Sequence, residues 1–389
     1  MKRPSGALLF VLAVFAASRA LLMGAGALAA AYIADAEPAG SPLEPPGLLN
    51  YWAHWDGAWY SEIATEGYDA RYPASTAFFP LYPVLIRAGT LLGGGPALWG
   101  VAISLVATFF GLYFVYRIAE RLYDARAAKA ATLVTAFFPT AFFLNAVYTE
   151  ALFLALSAGS VWAATVKRNF LLAGVLGALA GSTRNLGLLL VIPLALEWWR
   201  SRRESGAAGL ASIALVPLGL LSYLGFLWAR FGDPLVTARQ QEEYWGRELA
   251  SPADTLAAAW SAAGEGVSRL TEPLELLGTH TAGPALEASN AINLGFFALF
   301  LVVMGAGLAL LPAGLSAYAL LLALAGVLTP SPEFPLMSLP RFLLGAWPVF
   351  LVLGLVLSRR PAALWSWTVL SAATGVWMTA LFVTWHWVA

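Results

Sequence analysis

The sequence predicts an all-α membrane protein that crosses the bilayer many times, and three observations carry that prediction. Of its 389 residues, 60% are hydrophobic and 11% are charged, against roughly 45–50% and about 25% in soluble domains. Mean hydropathy is +0.73, which leaves too little polar surface to cover a water-soluble globule of 41.3 kDa. Apolar stretches approaching the roughly 20 residues needed to cross a membrane recur along the whole chain.

Taken in order, eleven spans are expected, near 7–34, 96–118, 131–145, 150–166, 169–183, 186–199, 207–229, 290–311, 313–329, 342–358 and 363–385. The first is long and is followed by many others, so it reads as a retained anchor rather than a cleaved signal. Several of the others are short, which implies tilt or burial below one surface. Lys2, Arg3, Arg117, Arg121, Arg126, Lys129, Lys167, Arg168, Arg200, Arg202, Arg203, Arg359 and Arg360 all fall on one side, 13 of the 22 basic residues. By the bias of Lys and Arg toward cytoplasmic loops, that side and the N-terminus are cytoplasmic. The whole chain, 1–389, then forms one transmembrane domain in the plasma membrane. Two long polar loops, 35–95 and 230–289, face outward and are expected to hold the chemistry.

The first loop is dense in aromatics. Trp55, Trp59 and Ile63 recur at i, i+4 and i+8, with Gly67 as a stop. That spacing predicts an amphipathic helix lying in the membrane interface. The remaining composition excludes other classes. There is no cysteine, so no disulfide framework or zinc–thiolate site, and the three histidines (His54, His280, His386) are far apart. The 22 basic and 22 acidic residues cancel, which leaves no field for nucleic acid. No Asp-x-Asp pair occurs in the outer loops, so no essential metal and no other cofactor is expected. Nineteen arginines against three lysines, with heavy Ala and Gly usage, suggest a GC-rich bacterial genome.

The informative stretch is His54-Trp55-Asp56-Gly57-Ala58-Trp59-Tyr60, with Glu66-Gly67-Tyr68 and Phe78-Phe79-Pro80-Leu81-Tyr82-Pro83 behind it. Asp56 reads either as an N-cap for a helix starting at Gly57 or as a partly desolvated carboxylate poised as a general base. Arg184 lies in an apolar stretch between two short spans. An arginine there is expensive and marks either function or a structural pair with an acid such as Glu150. Arg341, just inside a span, either snorkels or binds an anion. Glu150 gains from a helix N-terminus or binds a sugar or acceptor hydroxyl. His54 is expected at a polar rim, Asn145 and Asn185 as sugar ligands or helix-packing glue, and Arg19 as a structural partner. Arg230, Arg239 and Arg247 are loop charges or ligand contacts, and Gln240-Gln241-Glu242-Glu243 a solvated face.

The run HWDGAWYSEIATEGYD…AFFPLYPVLIR resembles the first-loop signature of the PIG-V-type mannosyltransferases and their bacterial relatives, membrane enzymes of the GT-C fold. Tyr148-Thr149-Glu150, Thr183-Arg184-Asn185-Leu186-Gly187, Phe231-Gly232-Asp233-Pro234-Leu235, Trp245-Gly246-Arg247 and Pro340-Arg341-Phe342 follow in the family's order. The resemblance implies a sugar, mannose above all, moved from a polyprenyl-phosphate donor to a hydroxyl of a glycolipid or glycan acceptor on the outer face. It implies inversion by a single displacement, with Asp56 as base; retention would want a second carboxylate at the anomeric carbon. His54, Trp55, Glu150, Arg184, Asn185, Arg247 and Arg341 are the expected substrate ligands, and Arg184 and Arg341 suit the departing phosphate, which arginine holds bidentately. A secondary transporter or flippase is the alternative, since Arg184 and short interrupted spans near 169–199 fit that class too. A fold that has lost its activity is a third reading.

Overall fold

A computed structural model describes residues 6–36, 49–69 and 71–388; Lys2 and Arg3 lie outside them. Among the described residues every extended element is helical. The helices are α1 (Gly6–Tyr32), α2 (Asp56–Glu66), α3 (Leu81–Thr90), α4 (Pro96–Leu122), α5 (Ala125–Ala136) and α6 (Glu150–Thr165). There follow α7 (Phe170–Gly181), α8 (Val191–Ile213), α9 (Val216–Phe231), α10 (Val236–Trp245) and α11 (Pro252–Arg269). The last five are α12 (Gly283–Leu310), α13 (Ala313–Leu328), α14 (Leu339–Phe342), α15 (Pro348–Ser358) and α16 (Pro361–Val383). The protein is an all-α, multi-pass membrane chain. Among the described residues five segments are long and apolar enough to cross a bilayer: α1, α4, the stretch Asn185–Phe231, α12 and α16. α6, α7, α13 and α15 are apolar but shorter.

Local chemistry sets several ends. The Asp124 carboxylate accepts the Ala127 N–H at 2.7 Å to start α5, and the Asn169 side chain accepts the Leu172 N–H at 2.9 Å to start α7. Gly232 (φ 72°) and Gly246 (φ 62°) end α9 and α10 in the left-handed region that favours glycine.

Two expected boundaries are corrected. The span near 131–145 is not one helix: α5 stops at Ala136, and 137–149 runs as irregular, almost wholly buried backbone with one 3-10 turn at Ala141–Leu144. Pro139 explains the stop, since it bars helix at the residue before it and lacks an N–H. The span near 342–358 likewise begins at Pro348.

Irregular backbone at this depth must find partners inside the protein. Buried Arg19 supplies three bonds of 2.8 Å, to the carbonyls of Ala136 and Ala141 and to the Asn145 side chain. Thr108 and Ser104 of α4 donate to Leu144 O and Ala146 O, both at 2.8 Å. Arg19 and Asn145 are therefore structural, as expected for Arg19 and for the packing reading of Asn145.

α7 lies unusually close to its neighbours. A methyl group on Gly174 would run into the Ser212 carbonyl, and one on Gly219 into the Ala178 carbonyl, so the backbones of α7, α8 and α9 touch directly. The arginine-rich turns gather at one end of the bundle, where Tyr123 bonds Leu310 O at 2.9 Å and Arg168 pairs with Glu197 at 2.8 Å. The N-termini of α2 and α6, the C-terminus of α7, and α14 meet at the other.

Candidate active site

The spacing places α2 in the membrane interface, but its apolar side faces protein. Ala58, Tyr60, Ile63 and Ala64 are buried, and Trp59 stacks on Phe78 at 5.7 Å and meets Trp245 of α10 at 6.5 Å. The periodicity identifies the face; its partner is the rest of the fold.

Asp56 is the first residue of α2, and no capping bond comes from its carboxylate. The N-cap position belongs to Trp55, held at φ 56°, a strained value for a bulky side chain. Tyr148 clamps this turn: its hydroxyl donates to His54 O and accepts the Asp56 N–H, both at 3.1 Å. Trp55 packs edge-on against Trp385 and Trp387 at 5.5 and 5.0 Å. With its backbone fixed this way, Asp56 points its carboxylate at Arg341, whose Nη1 donates to Oδ2 at 2.7 Å.

Arg341 is shared. Its Nε lies 3.1 Å from Glu150 Oε1, and the same oxygen accepts from Arg184. Arg184 also donates from Nε to the Thr149 hydroxyl at 2.7 Å. Asp56, Arg341, Glu150 and Arg184 thus form one continuous chain of charges. Glu150 is 1% exposed, and its Oε2 is buried without a hydrogen-bond partner.

Phe342 enters the sequence reading only as part of a motif, yet its ring is the common wall of the cationic side. The guanidinium carbons of Arg341, Arg184 and Arg247 lie 5.0, 5.5 and 5.7 Å from its centroid. Arg247 donates to the carbonyls of Thr329 and Met337 at 3.1 and 3.2 Å, which ties the polar loop 230–289 to the segment carrying Arg341. Burial, and then the nearby Arg341 charge, push Arg247 down to about 10, where it is still a cation at neutral pH. Three guanidiniums therefore face two carboxylates, and the cluster carries excess positive charge.

Other expected residues stand elsewhere. His54 is not at a rim: it is 1% exposed, stacks on Trp385 at 3.9 Å and places Nδ1 3.3 Å from Phe382 O. Asn185 is exposed at the start of the turn after Arg184, and none of the cluster's bonds involves it. Arg239 pairs with Asp233, and Gln240 donates to Glu243 at 2.6 Å, so these loop polars are engaged locally. Among the described residues no three His, Asp or Glu side chains converge.

Burial pushes the His54 imidazole down to about 4, against 6.5 in an unfolded chain. Above pH 6.5 both states hold it neutral. As pH falls from 6.5 toward 4, the unfolded chain takes up a proton that the folded one refuses, and stability drops by up to about 3 kcal/mol. The apparent melting temperature in detergent is expected to fall across that window, and less steeply in His54→Gln. Equal slopes for the two proteins would place the acid sensitivity elsewhere.

Residues 9–195 match the sequence model of the family described as Mannosyltransferase (PIG-V). The likeness to the PIG-V mannosyltransferases is borne out. Asp56, Glu150 and Arg184 lie inside the PIG-V-matched segment; Arg247 and Arg341 lie beyond it. A GPI mannosyltransferase 2 from Drosophila pseudoobscura pseudoobscura is 31% identical over 111 residues, covering 26% of this chain. The chain spans 24% of that curated relative's length. Among solved structures, the oligosaccharyltransferase of Archaeoglobus fulgidus in complex with Zn and sulfate aligns with a TM-score of 0.44 and 14% identity, over 95% of this chain and 53% of that one. Its apo form aligns at 0.41 and 10%, over 99% and 56%.

Proposed function

We propose that the protein is an inverting, GT-C-type glycosyltransferase of the plasma membrane, moving mannose from a polyprenyl-phosphate donor to a hydroxyl of a glycolipid or cell-envelope glycan on the outer face. The single observation that carries the reading is the partly buried charge chain Asp56–Arg341–Glu150–Arg184 at the end of the bundle away from the arginine-rich turns.

In the reaction the acceptor oxygen bonds to the anomeric carbon as the bond from that carbon to the phosphate oxygen breaks. Asp56 takes the acceptor's proton, and the electron pair of the broken bond leaves on the polyprenyl phosphate. A second negative charge develops on that phosphate, and cations already in place lower the barrier most. Arg341 and Arg184 are such cations, held by Glu150 and walled by Phe342, with Arg247 behind. In the free protein Arg341 is engaged by Asp56; an arriving phosphate competes for that guanidinium and leaves the carboxylate free to act as base. Glu150 Oε2, buried without a hydrogen-bond partner, supports the reading of Glu150 as the acceptor for a sugar hydroxyl. The carboxylates are neutralised by arginine, so the scheme uses no metal. An open apolar groove of about 610 Å³ beside α12 and α16 suits an isoprenoid tail. Its wall residue Phe296 meets Phe138 of the buried irregular segment at 5.4 Å.

Arg184→Ala and Arg341→Ala are each expected to raise the KM for donor by tenfold or more, corresponding to about 1.5–3 kcal/mol for a charged hydrogen bond, with the acceptor KM unchanged. A lower melting temperature with an unchanged donor KM would reduce both arginines to structural pairs. The decisive assay incubates purified protein with radiolabelled polyprenyl-phosphate mannose and a lipid extract of its host. Label entering a new lipid or glycan supports the reading; absence of both transfer and donor binding rejects this sugar carrier.

A further inference from the structure

We propose that the arginine-rich end of the bundle holds an anionic phospholipid, with one acyl chain in a groove between α4, α6, α8 and α13 and the phosphate between Arg121 and Arg200. The groove has a volume of about 170 Å³. Ile118, Val161, Leu194 and Leu315 line its apolar part, each no more than 4% exposed. Arg121 and Arg200 line it as well and are themselves exposed, so both sit at its mouth.

Charge balance decides what fits. Glu197 also lines the groove, but it is engaged by Arg168 at 2.8 Å. Among the described residues neither Arg121 nor Arg200 is paired with an acid. The mouth is therefore positive while the interior is apolar. A single arginine at a helix end extends to the headgroup level without any binding partner. Two that converge on one apolar slot, from helices far apart in sequence, form instead a clamp for a group that is anionic at one end and aliphatic at the other. Guanidinium binds phosphate oxygens bidentately, and basic pockets between transmembrane helices are a recurrent way of holding acidic headgroups. A neutral lipid leaves the cations unanswered, and a free phosphate leaves the slot unfilled. The site lies at the end of the bundle opposite Asp56, so it stands or falls independently of the glycosyltransferase reading.

The test compares apparent melting temperatures of the delipidated full-length chain in detergent with added phosphatidylglycerol, phosphatidylcholine or inorganic phosphate. Phosphatidylglycerol is expected to raise the temperature above phosphatidylcholine, and inorganic phosphate to leave it unchanged. The Arg121→Gln/Arg200→Gln variant should lose the difference between the two lipids. An Arg359→Gln/Arg360→Gln variant, which removes the same charge without touching the groove, should keep it. Native mass spectrometry of the wild type supplies a readout that needs no variant: one phosphatidylglycerol should be retained in preference to phosphatidylcholine. Equal effects of the two lipids, equal retention, or the same loss in both double variants would overturn the proposal. A shift produced by inorganic phosphate alone would leave an anion site and no lipid site.

Discussion

Asp56→Asn is expected to fold and to bind the donor at least as well as the wild type, while turnover falls by 10² or more, the scale of a lost general base. The two halves of that expectation come from one contact. The substituted amide keeps a side-chain oxygen for Arg341, so the turn clamped by Tyr148 stays in place. It no longer carries a charge, however, so it competes less well with a phosphate for the same guanidinium. Donor affinity measured by isothermal titration, set beside single-turnover transfer of label, separates the two effects. Full turnover in Asp56→Asn would remove the base from the mechanism. Donor affinity falling in step with turnover would make Asp56 a binding residue.

The second large effect is expected at Glu150, the acid shared by Arg184 and Arg341. Glu150→Ala strips the counter-charge from two mostly buried guanidiniums, and removing one member of a buried ion pair costs about 3–5 kcal/mol. Against a total stability of about 5–15 kcal/mol, little folded protein should be recovered. Glu150→Gln keeps the shape and one acceptor, so it should fold with a clearly lowered melting temperature. Adding Arg184→Met removes one of the orphaned charges and should restore part of that loss without restoring transfer. A Glu150→Gln protein that melts like the wild type would show that the arginines do not depend on this acid.

Much of this site is legible in the sequence, and the limits have physical causes. Asp56, Glu150, Arg184 and Arg341 stand out because charged side chains are scarce in so apolar a chain. Their assembly is not legible: Arg341 reaches Asp56 across 285 positions, and no local pattern reports that distance. Tyr148 and Phe342 each sit one or two residues from a flagged charge, yet an aromatic in an aromatic-rich chain carries no mark of its own. Whether Asp56 caps a helix or meets a cation depends on one backbone turn at Trp55, which spacing does not encode. Hydropathy finds the long spans but merges α5 with the segment behind it. Buried irregular backbone is as apolar in composition as a helix, and only Pro139 hints at the break. The helical period of Trp55, Trp59 and Ile63 is legible, while the surface that covers it is not, because bilayer and protein interior select the same side chains.

The direct backbone contacts at Gly174 and Gly219 bear on how Arg184 and Arg341 differ in compliance. α7, α8 and α9 touch main chain to main chain, so the helix that ends just before Arg184 cannot slide without moving two others. Arg341 rides on a four-residue helix entered through Ser338 at φ 66°. Arg247 ties the stretch before it at Thr329 and Met337, and Thr140 bonds Pro340 O at 3.0 Å. One cation is anchored to a stiff plate and the other to a short tethered arm. Should a ligand draw on both cations, Arg184 is expected to serve as the fixed reference and Arg341 to do the travelling.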